Sequence, residues 1–536
     1  MHDILIRNGR VIDGTGSPGI MMDLVIDGTK IGRLYKPGDG KGSVEIDAEG
    51  LVVCPGFVDI HTHSDFSLLG CPLAESKIRQ GVTTELLGNC GGSAAPIIGA
   101  ARKQAVDYAK KLWVDVTWSS FDEYLLHLSD VRTSVNVASL VGADTLRLGV
   151  IGANDTQATE NQLRQMNELL AQAMIEGAYG ISSGLIYAPG CFASTDELTS
   201  LASTSASLGG FYASHIRGEG RTVVKAVAEA IKIGRDADSR VQISHHKAIG
   251  IDNWGLVSKT IAMIEAARSE GVDVAFDVYP YTASSTWLNS ILPPAIRDGE
   301  TDSILKRLGD EKTREEIKRA FQNKDTDWEN TVAEDGWDRI VLIGLKSEKY
   351  GMFENKSISD AASELNVSPD DLALDILAED YLGVFAIFHE ISEDDVKTVI
   401  SHPLSAIGSD GEAEAPYGQT GDSATHPRSY GTFPRVIRRY SIEMGLFPME
   451  EAIRKMTSWP AERIGLIDRG VIAKGMAADI VVFNPDTIRD MATFEDSHRY
   501  PEGIVHVFVN GQMTIQDGDH TKERAGQVLR HKPRVS

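Results

Sequence analysis

The chain has 536 residues, 42% of them hydrophobic, enough for roughly two to four domains and a sizeable core. Acidic side chains outnumber basic ones 77 to 53, a net charge of −24, which argues against nucleic acid and anionic membrane as partners. Four cysteines are too few for a disulfide framework, and no leader pattern or apolar run of about 18 residues is seen, so a soluble cytoplasmic protein is expected.

Residues 1 to about 54 read as short strands parted by Gly, Asn, Asp and Pro turns, namely 3–8, 22–27 and 30–34. Strand patterns return at 479–483 and 504–510. One small β domain built from both ends, 1–54 and 470–526, is expected, with 527–536 as a tail. The middle, 55–469, alternates. Candidate strands are 51–60, 82–89, 134–141, 178–183, 210–216, 240–245, 272–279 and 404–409, with helical patterns at 158–175, 222–235 and 256–269. That order predicts a (β/α)8 barrel, with a doubly wound open sheet as the alternative. The stretch between the last two strands is too long for one crossover. It carries a charged helical segment, 303–323, and strand-like runs at 339–345 and 384–388. It is read as an insertion, about 287–345, over the barrel mouth.

Chemical groups cluster at the strand ends. His61 and His63 close the first strand, and residues two apart share a face, so their imidazoles stand side by side. Cys90 follows the second strand among glycines, where it has no helix or strand to pack into. His215 ends the fifth strand, His245 and His246 the sixth, and Asp410 the eighth. Nitrogen, sulfur and oxygen donors at the C-terminal ends of barrel strands suit zinc. Strand parity allows only one of His245 and His246 to face inward, and leaves open which. Tyr279 and Ser285 offer hydroxyls after the seventh strand, and Arg428 can fork a carboxylate. The loop 184–190 reads as pocket lining or a turn.

The run PGFVDIHTH at 55–63, followed by QGVTTELLGNCG at 80–91, resembles the amidohydrolase superfamily. SSGLIYAPG at 182–190, YASHIRGEG at 212–220, QISHHKAIG at 242–250, YPYTASST at 279–286, GSDG at 408–411 and HPRSYGTFPR at 426–435 narrow this to the D-aminoacylase (N-acyl-D-amino-acid deacylase) family. GVIAKGMAADIVVF at 470–483 is common to the superfamily. The resemblance implies a tight zinc site at Cys90, His215 and His245, and a weaker second site at His61, His63 and Asp410 that Cys90 bridges. It also selects His245 over His246. Ala143 stands where the family resemblance would place a histidine, which leaves narrow substrate specificity open.

The resemblance further implies hydrolysis of N-acyl-D-amino acids, with Asp410 as base and then acid. Arg428, helped by Tyr279 and Ser285, would hold the substrate carboxylate, with Lys247 as a second candidate. A small-molecule substrate and a homo-oligomer are compatible with this reading. The rivals are a cyclic-amide hydrolase of the hydantoinase type, whose metal bridge would be a lysine, and a non-catalytic scaffold that kept the barrel.

Overall fold

In the computed structural model, which describes residues 2–533, the apolar run before the histidine pair is two strands, not the single strand expected at 51–60. Gly56 separates them. Val52–Pro55 joins the terminal sheet, pairing antiparallel with Ile480–Phe483, while Phe57–Asp59 opens the barrel. One short run of chain therefore belongs to two layers and ties them together.

Among the described residues, the terminal sheet has nine strands drawn from both ends of the chain, from His2–Val11 to Asp519–His520. Its core holds Ile6, Leu24, Ile26, Val53, Ile480, Val482 and Phe508. The eight barrel strands are Phe57–Asp59, Val82–Leu87, Asn136–Ser139 continued by Val141–Gly142, Gly180–Gly184, Phe211–His215, Val241–Ile243, Val274–Val278 and Ser405–Ile407. Successive strands pair in parallel. The ring closes where Asp410 N–H donates to the His61 carbonyl at 2.8 Å and His63 N–H to the Gly411 carbonyl at 3.1 Å. All parallel strand ends thus converge at one mouth, where barrel chemistry is sited. The crossover helices fit amphipathic rules. Glu160–Glu176 starts on a Thr159/Gln162 capping box, buries Met166, Leu170, Ala173 and Met174 on one stripe, and stops at Gly177.

The insertion has its own core, including Leu288, Leu308, Phe321, Leu342 and Phe388. Its sheet joins Ser284–Trp287, Phe385–Phe388 and Ile340–Ile343 antiparallel, in that order. It therefore extends past the expected end near 345, because its central strand comes last. The charged helical segment is two helices, Thr301–Leu308 and Glu311–Phe321, broken at Gly309 and Asp310. Near the C-terminus, the chain runs along the third barrel strand. Leu529 N–H donates to the Val137 carbonyl at 2.7 Å, and His531 N–H to that of Gly177 at 2.9 Å. The last three residues of the expected tail, 534–536, lie outside the described residues. Among the described residues, no helix is long and apolar enough to cross a membrane.

Candidate metal centre

Donor atoms of His61, Cys90, His245 and Asp410 all lie within 4.8 Å of one another at the barrel mouth. His215, Glu219 and His245 form a second group within the same limit, so His245 belongs to both. Cys90 Sγ lies 3.3 Å from His61 Nε2 and 3.4 Å from His245 Nε2. Asp410 Oδ1 lies 2.9 Å from His63 Nε2 and 3.3 Å from His61 Nε2. Its Oδ2 accepts from Arg428 Nη1 at 2.7 Å.

Three of these residues leave their strands in the left-handed region: Cys90 at φ 49°, His245 at 35° and Asp410 at 53°. Such φ values are costly without glycine and cluster where function holds them. They also explain the choice between adjacent histidines. The sixth strand ends at Ile243, so parity no longer applies at 245. The turn sends His245 into the mouth, while His246 turns outward, its Nε2 2.9 Å from Thr260 Oγ1 on the next helix. Close approach is built in as well, since a Cβ at Gly408 would lie 2.6 Å from the Cβ of His61.

Carboxylates that the motif reading passed over position these ligands. Asp277, on the seventh strand, takes His61 Nδ1 at 3.0 Å and the His245 backbone N–H at 2.7 Å through one oxygen. Its other oxygen accepts from Gln242. That leaves Nε2 of His61 directed at the cluster, as metal-binding histidines require. Asp59 and the fully buried Lys77 bracket Asp410: Asp59 accepts from Ser409 N–H at 2.8 Å, and Lys77 donates to Ser409 Oγ at 2.6 Å and to the Gly411 carbonyl at 3.1 Å. A charged residue inside an apolar strand was the available signal for Asp59 and Asp277. A buried charge needs partners.

The proposed substrate groups are distributed unevenly. Arg428 is buried and donates from Nη2 to the Ser285 carbonyl at 3.0 Å, so Ser285 meets it through its backbone. The guanidinium carbon lies 5.2 Å from the Tyr279 ring centre, and the buried Tyr279 hydroxyl has no hydrogen-bond partner among the described residues. The Lys247 ammonium is 2.8 Å from both oxygens of Glu219 and 2.8 Å from His245 Nδ1. Tyr187, on the loop read as pocket lining, stacks edge-on against His215 at 5.1 Å and bonds to Thr286 Oγ1 at 2.9 Å. Ala143 begins the helix Ala143–Val150 beside the Cys90 loop, and Asp144 next to it accepts from Gly184 N–H at 3.3 Å.

Electrostatics makes the cluster a cation receptor. Burial alone would raise the Cys90 thiol, but the His61 and His245 charges beside it hold it well below the ordinary thiol range. Burial would likewise raise Asp410, yet Arg428, His245, His61 and His63 keep its carboxyl well below the usual range. Burial lowers His63 and His245, but the neighbouring Cys90 and Asp410, with Glu219 for His245, lift them to about 10 and about 9. The negative charge that would protonate these imidazoles is the charge a divalent metal neutralises. Among the described residues, no hydrogen bond is formed by either ring nitrogen of the buried His215, and Nε2 lies 3.8 Å from Glu219 Oε2. An orphaned imidazole facing a thiolate and a second imidazole fits a borderline-soft metal.

Comparison with known proteins agrees. The model for the Amidohydrolase family matches residues 44–515. The chain is 34% identical over 531 residues to D-aminoacylase of Alcaligenes xylosoxydans xylosoxydans, covering 98% of this chain and 97% of the relative. It is equally identical over 531 residues to that organism's N-acyl-D-glutamate deacylase, at 98% and 96% coverage. Among solved structures, the N-acyl-D-glutamate deacylase of Bordetella bronchiseptica, complexed with zinc and a phosphonate mimic of the tetrahedral intermediate, superposes with a TM-score of 0.81 at 33% identity, covering 99% of this chain and 100% of that one. Full-length kinship and the thiolate-bearing histidine cluster point the same way: the chain belongs to the D-aminoacylase family of amidohydrolases.

Proposed function

We propose that the protein is a zinc-dependent deacylase that hydrolyses N-acyl-D-amino acids to a D-amino acid and a carboxylate. The observation that carries this reading is Asp410, a carboxylate shared between two histidines at the metal cluster and a buried arginine. A group so placed touches both the reacting centre and the side where an anionic substrate would sit. Cys90, His215 and His245 would hold one tight zinc, and His61, His63 and Asp410 a weaker second ion. Zinc held by this set would supply Lewis acidity that polarises an acyl carbonyl and lowers the pKa of water toward about 7.

The chain's own residues do the rest. Asp410 Oδ1 accepts the proton of the attacking water and returns it to the departing nitrogen, one carboxyl serving as base and then acid. Asp59, Lys77 and Arg428 hold that carboxyl in place. Arg428 has five N–H donors, and its bonds to Asp410 and Ser285 leave others for a substrate carboxylate. The unpartnered Tyr279 hydroxyl beside it adds a further donor. With the carbonyl and the carboxylate held at two points, a pocket that admits the side chain in one direction would be the third point that selects the D-enantiomer. A cyclic-amide hydrolase is disfavoured because Cys90, not a lysine, lies between the histidines. Lys77 is instead bonded to Asp59, Ser409 and Gly411.

Arg428→Lys tests the substrate placement. An ammonium cannot reproduce the planar fork, and Arg428 also braces Asp410, so some loss is expected on any amide. The carboxylate contact adds to it. A charge-assisted bond contributes about 1.5–3 kcal/mol, so the fall in kcat/KM on an N-acyl-D-amino acid should exceed that on its carboxamide by roughly 10- to 100-fold. Equal losses on both substrates would remove Arg428 from the carboxylate site.

A further inference from the structure

Glu219 lies four residues after His215, in the loop beyond the fifth strand, and is 4% exposed. Its Oε1 is 3.0 Å from His245 Nδ1, and its Oε2 is 3.8 Å from His215 Nε2. Both oxygens are 2.8 Å from the Lys247 ammonium. Its backbone N–H donates to Glu329 Oε2 of the insertion at 2.7 Å. The lysine therefore fixes the carboxylate directly, and Glu329 holds the backbone that carries it.

The nitrogen it faces is the one that decides whether His245 can bind metal. His245 points Nε2 at Cys90, 3.4 Å away. For Nε2 to offer its lone pair, the ring proton must sit on Nδ1. Lys247 Nζ also lies 2.8 Å from Nδ1, and an ammonium can only donate. Were Lys247 to bond there alone, the proton would move to Nε2 and His245 would lose its ligand atom. A carboxylate at Nδ1 reverses that choice. With Oε1 3.0 Å from Nδ1, it offers the ring proton an acceptor there and at the same time draws the lysine's protons onto its own oxygens. The group His215, Glu219 and His245 looks like a second metal cluster, but the cation within it is the Lys247 ammonium.

We infer that Glu219 is a positioning residue for the proposed metal site: it holds His245 in the metal-binding tautomer, with Lys247 as its counter-ion. The inference rests on the zinc site proposed above. Carboxylates in this relation to a ligating histidine typically contribute 10- to 100-fold in metal affinity.

The test is the zinc dissociation constant of the purified, metal-stripped protein, read by competition with a chromophoric chelator. Glu219→Gln is expected to bind zinc roughly 10- to 100-fold more weakly than the parent. Because Gln leaves a buried ammonium unpaired, the double variant Glu219→Gln/Lys247→Met, which removes both charges, is measured beside it. It is expected to show a loss of the same order. Glu219→Asp keeps the charge with a shorter reach and should fall in between. Metal-free melting temperatures show which variants are folded. A zinc affinity within about threefold of the parent in either folded Gln variant would overturn the assignment, since the expected minimum is tenfold. A parent that bound no zinc would overturn the metal site itself, and this assignment with it.

Discussion

Asp410→Asn is expected to keep the fold and the tight zinc while losing nearly all turnover. Asparagine matches the carboxylate in shape and can still accept from Arg428, but it can neither take a proton nor return one. A general acid or base typically contributes 10²–10⁴-fold, and here one group is assigned both steps, so a fall in kcat of at least about 10²-fold is expected. The ion pair with Arg428 is buried on both sides, so the variant should also lose stability by the cost of an unpaired buried charge, about 3–5 kcal/mol. Zinc content should stay near the parent value, because Cys90, His215 and His245 are untouched. A kcat within about tenfold of the parent, measured on folded and zinc-loaded protein, would mean that another group moves the proton.

Removing the metal is expected to have an effect of similar size. Dialysis against a strong chelator should abolish hydrolysis, and stoichiometric zinc should restore it. Cys90→Ser isolates the ligand. A serine hydroxyl is not ionised near neutral pH and is a poor partner for a borderline-soft ion, whereas the Cys90 thiol is held well below its usual range. Loss of a supporting carboxylate costs 10- to 100-fold in metal affinity, so loss of a direct ligand should cost more than about 100-fold. Chelation should also lower the melting temperature, since a ligand at about 100 times its dissociation constant stabilises the native state by roughly 2.7 kcal/mol. Full activity in chelated protein of verified metal content would remove metal from the reaction.

Which residues would form this site was legible where chemistry and strand ends coincide. His61 and His63 follow an apolar run at a spacing that places both on one face, and His215 and Asp410 close runs of clear strand character. The barrel itself followed from alternation, and every expected barrel strand has a counterpart in the structure. What failed to show was whatever depends on backbone conformation or on distant partners. Strand parity could not decide between His245 and His246, because the chain has already turned into the left-handed region at φ 35°. Gly56 did not signal a change of sheet. Its neighbours on both sides are equally apolar, and only the pairing of Val52–Pro55 with Ile480–Phe483 separates them.

The supporting charges were hidden for a related reason. Asp59, Lys77, Asp277 and Glu219 lie in or near motif segments, but their meaning comes from partners tens or hundreds of residues away, as with Asp59 and Ser409. Lys247 read only as a candidate for the substrate carboxylate, because nothing local announces its ion pair with Glu219. The stretch 484–503 gave no functional signal. Yet Phe494 reaches the mouth and packs against His426 at 5.1 Å and His389 at 4.9 Å, beside the loop that carries Arg428. An aromatic residue in a polar stretch is no marker of such a reach.

The most direct test of the whole account is amine release from matched N-acetyl-D- and N-acetyl-L-amino acids by zinc-loaded protein, each pair covering apolar, acidic and basic side chains. Hydrolysis of at least one D-substrate, with its L-enantiomer slower by at least about 10-fold, is the expected result, because a side chain that fits in only one direction forfeits at least one contact of about 1.5–3 kcal/mol. Equal rates on both enantiomers, or no hydrolysis of any linear N-acyl amino acid, would contradict it.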